Sequence, residues 1–224
     1  MTFTEYLHDR VQPIWQAQRE HPFVVGIADG TLPQETFARW VRQDYRYLVE
    51  FSRVFAWGAA KSRRLDEMQF FATALDLTLN TEMDLHRGYA ARFGISAGEL
   101  EATEMWPTTR AYTDFLVRVS ADGDLADLLA ALLPCAWGYA WLARRLVKDF
   151  DRPDDDRYAE WIETYAGDEF QGASQHLQAL MNRHADEVSD EKRERLTELF
   201  VLSSRYELQF WEMCWRGESW QPAL

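Results

Sequence analysis

Between one proline or glycine and the next, this chain sets apolar residues at the three- and four-residue spacing of a helix, from one end to the other. Phe3, Leu7, Val11, Ile14 and Trp15 carry the pattern over Thr2–Glu20, where Pro13 is expected to kink the helix or mark an early break. His21-Pro22 ends it, and a short piece over Phe23–Ala28 closes at Asp29-Gly30. Thr31-Leu32-Pro33 opens a long helix to about Ser62, another spans Leu65–Phe93 up to Gly94, and Ser96–Glu101 reads as a single turn. Helices follow over Thr108–Ser120, Leu125–Phe150, Tyr158–Tyr165, Glu169–Asn182 and Ser189–Arg216, with an acidic turn at Asp151–Asp156. Phe23-Val24-Val25 is too short and isolated to be a strand. No repeat or linker interrupts the run. The pattern therefore predicts one all-α domain over residues 1–224, built of long helices packed as a bundle.

A bundle of this length buries a large core, and 47% hydrophobic residues supply it. Ten Trp, nine Tyr and thirteen Phe are many for this length; aromatics fill cores, and they also line pockets for flat ligands. The net charge of −13 repels phosphate backbones, and no basic recognition helix is present, so nucleic acid is not an expected partner. The sequence carries no basic-then-apolar leader and no run of the ~18 apolar residues that a membrane span needs. Two cysteines, Cys135 and Cys214, make no disulfide framework, and a reducing, cytoplasmic location is expected.

Four segments place reactive side chains among apolar ones. Cys135 follows Pro134 inside an apolar helix, with Tyr139 one turn on; a thiol beside a local irregularity is a candidate nucleophile, although buried cysteine often serves only as a small apolar residue. Asp44 shares a face with Tyr47, Trp40 and Phe51. A carboxylate there needs a partner, either an arginine or the amine of a ligand. Glu207 shares a face with Phe210 and Trp211, where a partly dry site raises a carboxyl pKa toward that of a working acid or base; Glu212 and Glu218 read as solvated. Tyr165 ends a helix in Trp161–Phe170, and Tyr112 is similarly disposed after Pro107. Metal ligation is poorly served. Glu5-x-x-His8 occurs without a second such pair, Glu82 and His86 stand four apart, and no zinc-protease or phosphate-loop motif is present.

These segments, taken in order, resemble the TenA/thiaminase II family. The matching stretches are His21-Pro22-Phe23-Val24, Gly30-Thr31-Leu32, Phe37, Gln43-Asp44-Tyr45-Arg46-Tyr47-Leu48, Leu133-Pro134-Cys135, Trp161-Ile162-Glu163-Thr164-Tyr165-Ala166 and Tyr206-Glu207-Leu208-Gln209-Phe210-Trp211. Cys135 marks the branch that uses a cysteine nucleophile. The resemblance implies a haem-oxygenase-like all-α fold, no cofactor or metal, and a homotetramer. It also implies hydrolysis of the aminomethyl aminopyrimidine of degraded thiamin to its hydroxymethyl form, with thiamin itself as a further substrate. In the implied mechanism Cys135 adds to the unsubstituted ring carbon, Glu207 protonates the adjacent ring nitrogen and Tyr165 orients Glu207. Asp44 holds the ring's amino group, and Tyr47, Tyr112, Tyr139 and Phe210 line the pocket. Ala136 and Gly138 are smaller than that pattern leads one to expect, which points to an altered pocket floor. Two other readings fit the same fold: a di-iron or cofactor-free oxygenase, and a non-enzymatic pyrimidine-binding protein.

Overall fold

Each helix begins and ends where its terminal backbone groups find partners. In the computed structural model, which describes residues 1–150 and 157–222, α1 spans Phe3–Arg19 and is closed at its start by a reciprocal pair: Thr2 accepts from the Glu5 N–H, and Glu5 accepts from the Thr2 N–H. Pro13 lies inside α1, which continues through it, so the second of the two outcomes expected there, an early break, does not occur. His21 caps α2 (Pro22–Ala28), and Gly30 takes the left-handed conformation (φ 77°) that lets the chain turn into α3 (Gln34–Lys61). The helix expected over Leu65–Phe93 forms in three continuous parts: α4 (Leu65–Leu77), a π-helical turn at Thr78–Glu82, and α5 (Met83–Arg92). Gly94 follows with φ 71°. Then come α6 (Ala97–Glu101), α7 (Pro107–Asp122), α8 (Leu125–Asp149), α9 (Ala159–Ala166), α10 (Asp168–Asp186) and α11 (Asp190–Arg216). The acidic turn expected at 151–156 lies outside the described residues, which contain no strand.

The chain forms two compact units: Met1–Pro33 with Leu129–Glu212, and Gln34–Leu128 with Met213–Leu224. In the first, Trp15, Trp161, Trp211, Phe23 and Phe200 are almost wholly buried. Trp15 donates to Ser204 Oγ at 3.3 Å and Trp211 to Gln18 Oε1 at 3.3 Å, so the indole N–H groups of these buried rings are satisfied. In the second, Trp40, Phe37, Phe71, Tyr89 and Tyr112 form the core. There α4 packs so closely on α3 that Gly58 leaves room for the Phe71 ring, which a Cβ at that position would meet at 2.4 Å.

By length and mean hydropathy α8 could cross a membrane, although Asp127 and Arg144 bound its uninterrupted apolar run. Its apolar window is 78% buried inside the protein, as befits a core helix whose faces all meet other helices.

Candidate active site

In the first unit, α8 and α11 run side by side in a register that two contacts define. Ser203 Oγ donates to the Ala131 carbonyl at 2.6 Å. Farther along both helices, the Tyr139 and Trp211 rings pack with centroids 5.3 Å apart. The two pairs advance in the same direction, so the helices are parallel here. Cys135 lies one turn beyond Ala131 and one turn before Tyr139; Glu207 lies one turn beyond Ser203 and one turn before Trp211. The candidate nucleophile and the candidate acid thus stand at the same level on neighbouring helices.

Their surroundings are aromatic and mostly dry. Glu207 and Phe210 are each 3% exposed, whereas Cys135 is half-buried. Tyr139 packs on Tyr165 edge to face (5.0 Å) and on Trp161 (5.8 Å); Trp161 packs in turn on Tyr165 (4.9 Å). Gln171 fixes the end of α9, its Nε2 donating to the carbonyls of Tyr165 (2.8 Å) and Ala140 (2.9 Å). His21 Nδ1 accepts from the Phe23 N–H at 3.2 Å, which leaves Nε2 to donate to Glu212 at 2.9 Å. Glu212, expected to be solvated, therefore ties α11 to the start of α2, and Phe23 packs on Trp211 with ring centroids 5.3 Å apart. Gly138 fronts Trp15, 3.9 Å from where a Cβ would sit, so at this position the small residue bears on packing against α1. A separate cleft of about 730 Å³ lies between the start of α1 and α11, where Phe3, Tyr6, Val201 and Leu202 contribute to its lining; none of the sequence-predicted site residues does.

In the second unit, Asp44 is 6% exposed and its partner is His86, not an arginine: Nε2 lies 2.6 Å from Oδ2. The sequence pointed to His86 only through its spacing from Glu82. Its other nitrogen, Nδ1, lies 2.9 Å from the Glu82 carbonyl oxygen. Burial alone would lower the imidazolium pKa, but the hydrogen bond and charge of Asp44, helped by Glu82, outweigh it and raise the pKa above its usual value. Trp40 packs against the imidazole ring at 5.2 Å. Tyr47 stacks on Phe51 (5.2 Å) and meets Tyr112 (5.2 Å), which gathers the predicted pocket aromatics of this unit. Gln43, whose role sequence reasoning missed, anchors the start of α7: its Oε1 accepts from the Trp106 N–H (2.9 Å) and from Thr109 Oγ1 (2.7 Å). Glu218, also expected to be solvated, accepts from the Thr108 N–H at 2.9 Å. Together they satisfy backbone donors that a helix beginning with Pro107 cannot satisfy itself, and so fix Tyr112.

The histidines considered as ligands are otherwise engaged. Glu5 caps α1, and His8 packs against Trp15 and Trp137, where burial lowers its pKa. Among the described residues, no group of three or more His, Cys, Asp or Glu side chains is placed to hold a metal ion.

Comparison with known proteins gives this arrangement a family. Two aminopyrimidine aminohydrolases align over nearly the whole chain. That of Halalkalibacterium halodurans is 42% identical, covering 98% of each chain; that of Bacillus subtilis is 38% identical, covering 100% of this chain and 94% of its own. A solved domain of unknown function from Shewanella denitrificans, described as having a heme oxygenase-like fold, superposes with a TM-score of 0.72 at 13% identity, covering 96% of this chain and 92% of its own; the two share that fold. The family model for TENA/THI-4/PQQC matches residues 8–217, and the chain belongs to the TENA/THI-4/PQQC family.

Proposed function

We propose that this protein is an aminopyrimidine aminohydrolase of thiamin salvage, converting the aminomethyl aminopyrimidine of degraded thiamin to its hydroxymethyl form. Full-length similarity to two enzymes of that name supports the activity. The observation that carries the mechanism is the register of α8 and α11, which sets Cys135 level with Glu207 beside the Tyr139–Trp211 pair.

The Cys135 thiolate adds to the unsubstituted ring carbon while Glu207 gives a proton to the adjacent ring nitrogen. The ring loses its aromaticity, and the electron pair released into it expels the exocyclic amine, which is bound as its ammonium ion and so leaves as neutral ammonia. Water adds to the exocyclic carbon, giving up a proton to bulk water. Cys135 then departs as thiolate, and the ring nitrogen returns its proton to Glu207. One difficult displacement thus becomes two easier steps, with water and substrate giving alcohol and ammonia. Tyr165 orients Glu207, Asp44 accepts from the ring's amino group, and Tyr47, Tyr112, Tyr139 and Phe210 hold the flat ring by stacking. The acidic surface favours a cationic substrate, so thiamin is a second substrate in this reading, and it disfavours DNA. We further propose a cytoplasmic homotetramer, which light scattering of the purified protein checks.

Turnover of the aminomethyl pyrimidine and of thiamin, measured side by side by chromatography, tests the activity. Release of hydroxymethyl pyrimidine supports it. Tight binding of the pyrimidine without turnover of either compound leaves a binding protein instead.

A further inference from the structure

We infer that His86 is a positioning residue that acts through Asp44, and that it does so as an imidazolium. The inference deepens the proposed function and rests on it for the identity of the ligand. Asp44 is more than nine-tenths buried, and its hydrogen bond within the described residues is the one from His86 to Oδ2. Its second oxygen, Oδ1, takes none from the protein, and the 8% of the side chain that stays exposed leaves it open to a donor that arrives with the ligand. The amino group of an aminopyrimidine is such a donor.

His86 is completely buried, and both of its ring nitrogens face acceptors. The Glu82 carbonyl accepts only, so Nδ1 must carry a proton; Nε2, facing the carboxylate, carries the other. An imidazole that donates twice is cationic. The Trp40 ring, with its centroid 5.2 Å away, supplies π density that favours a cation. The π-helical turn at Thr78–Glu82 ends on the residue whose carbonyl anchors Nδ1, and such turns are frequent at functional sites. The other charged and titratable groups bearing on the pair are Glu82 from this turn and Cys214 from α11, whose thiol feels the Asp44 charge.

Two consequences follow. The cation balances the charge of Asp44 and holds Oδ2, so that Oδ1 is fixed as an acceptor for the ligand. Deprotonation of His86 loosens that hold, so KM rises toward alkaline pH while kcat changes little.

The test combines ring-nitrogen NMR of the full-length protein, with His86 assigned by its loss in His86→Gln, and steady-state kinetics of His86→Gln, Asp44→Asn and the double variant. Both ring nitrogens of His86 are expected to be protonated at pH 7.5 in the wild type, and its titration to move to lower pH in Asp44→Asn. Each single variant is expected to raise KM for the aminomethyl pyrimidine by ~10-fold or more with kcat within ~3-fold, and the double variant to be no worse than Asp44→Asn. A neutral His86 at pH 7.5, or losses that multiply in the double variant, overturns the inference. If His86→Gln does not fold, the wild-type and Asp44→Asn titrations, with His86 assigned through its contacts, decide alone. A wild type that neither binds nor turns over the pyrimidine sinks the functional reading, while the NMR arm still reports on the state of His86.

Discussion

Replacing Glu207 by glutamine separates catalysis from binding more cleanly than any other change in this protein. Glu207 is 3% exposed and stands level with Cys135, so in the proposed mechanism its loss acts on the ring that Cys135 attacks. Glutamine keeps the length, the planarity and a hydrogen-bonding end, and it removes a buried ionisable group, so little packing is lost. What disappears is the proton for the ring nitrogen. General-acid assistance contributes about 10²- to 10⁴-fold, which corresponds to about 2.7–5.4 kcal/mol in the barrier at 1.36 kcal/mol per decade. Turnover of the aminomethyl pyrimidine is therefore expected to fall at least ~100-fold in Glu207→Gln, with a calorimetric Kd for the hydroxymethyl product close to that of the wild type. The rate assay and the calorimetry must be done on the same preparation. Binding that vanishes together with turnover would make Glu207 an anchor and not an acid. Turnover that survives would place the proton elsewhere, and Tyr165 would be the next residue to change.

Other expectations follow from packing and protonation. Gly58→Ala puts a methyl group 2.4 Å from the buried Phe71 ring; overpacking at about 1–3 kcal/mol against a helix-propensity gain of about 1 leaves a net loss of up to about 2 kcal/mol, and a raised Tm would contradict the close α3–α4 contact. Iodoacetamide should label half-buried Cys135 before Cys214, whose thiol pKa is raised by burial first and then by the Asp44 charge, against the opposing pull of Arg39; labelling of Cys214 in the folded protein at a comparable rate would refute its assignment as inert. Because the His86 pKa is raised on folding, its contribution to stability is full below about pH 6.5, the unfolded value, and is lost as pH rises through the folded value. Urea melts at several pH values should show that loss in the wild type relative to His86→Gln, and parallel curves would argue against a charged pair.

Much of this architecture is legible in the sequence because helix ends are local events. The Ser96–Glu99 capping box, His21-Pro22 and the glycines at 30 and 94 each mark a boundary through the two or three residues beside them. The π-helical turn at Thr78–Glu82 is not legible, since it changes the hydrogen-bond partner without disturbing the apolar spacing enough to show. At Pro13, for which a kink or a break is equally readable, the helix does not end, and burial of Val11 and Trp15 on either side holds α1 together. The candidate site divides in the same way. Burial of Glu207 and Phe210 is readable from their shared helix face. The partner of Asp44 is 42 positions away in the chain, and Glu212 and Glu218 find partners that only the tertiary fold supplies. The level placement of Cys135 and Glu207 depends on the relative register of two helices, which no single segment contains.

The central claim is that Cys135 is the nucleophile, and Cys135→Ser tests it most directly. Serine is close in size, so the helical circular dichroism and the Tm should stay near wild type, but a hydroxyl is a far weaker nucleophile than a thiolate. With the aminomethyl pyrimidine as substrate, kcat/KM is predicted to fall to the background rate in Cys135→Ser and to stay near wild type in Cys214→Ser. Activity of Cys135→Ser within a few-fold of wild type, or a comparable loss in Cys214→Ser, would contradict covalent catalysis at Cys135.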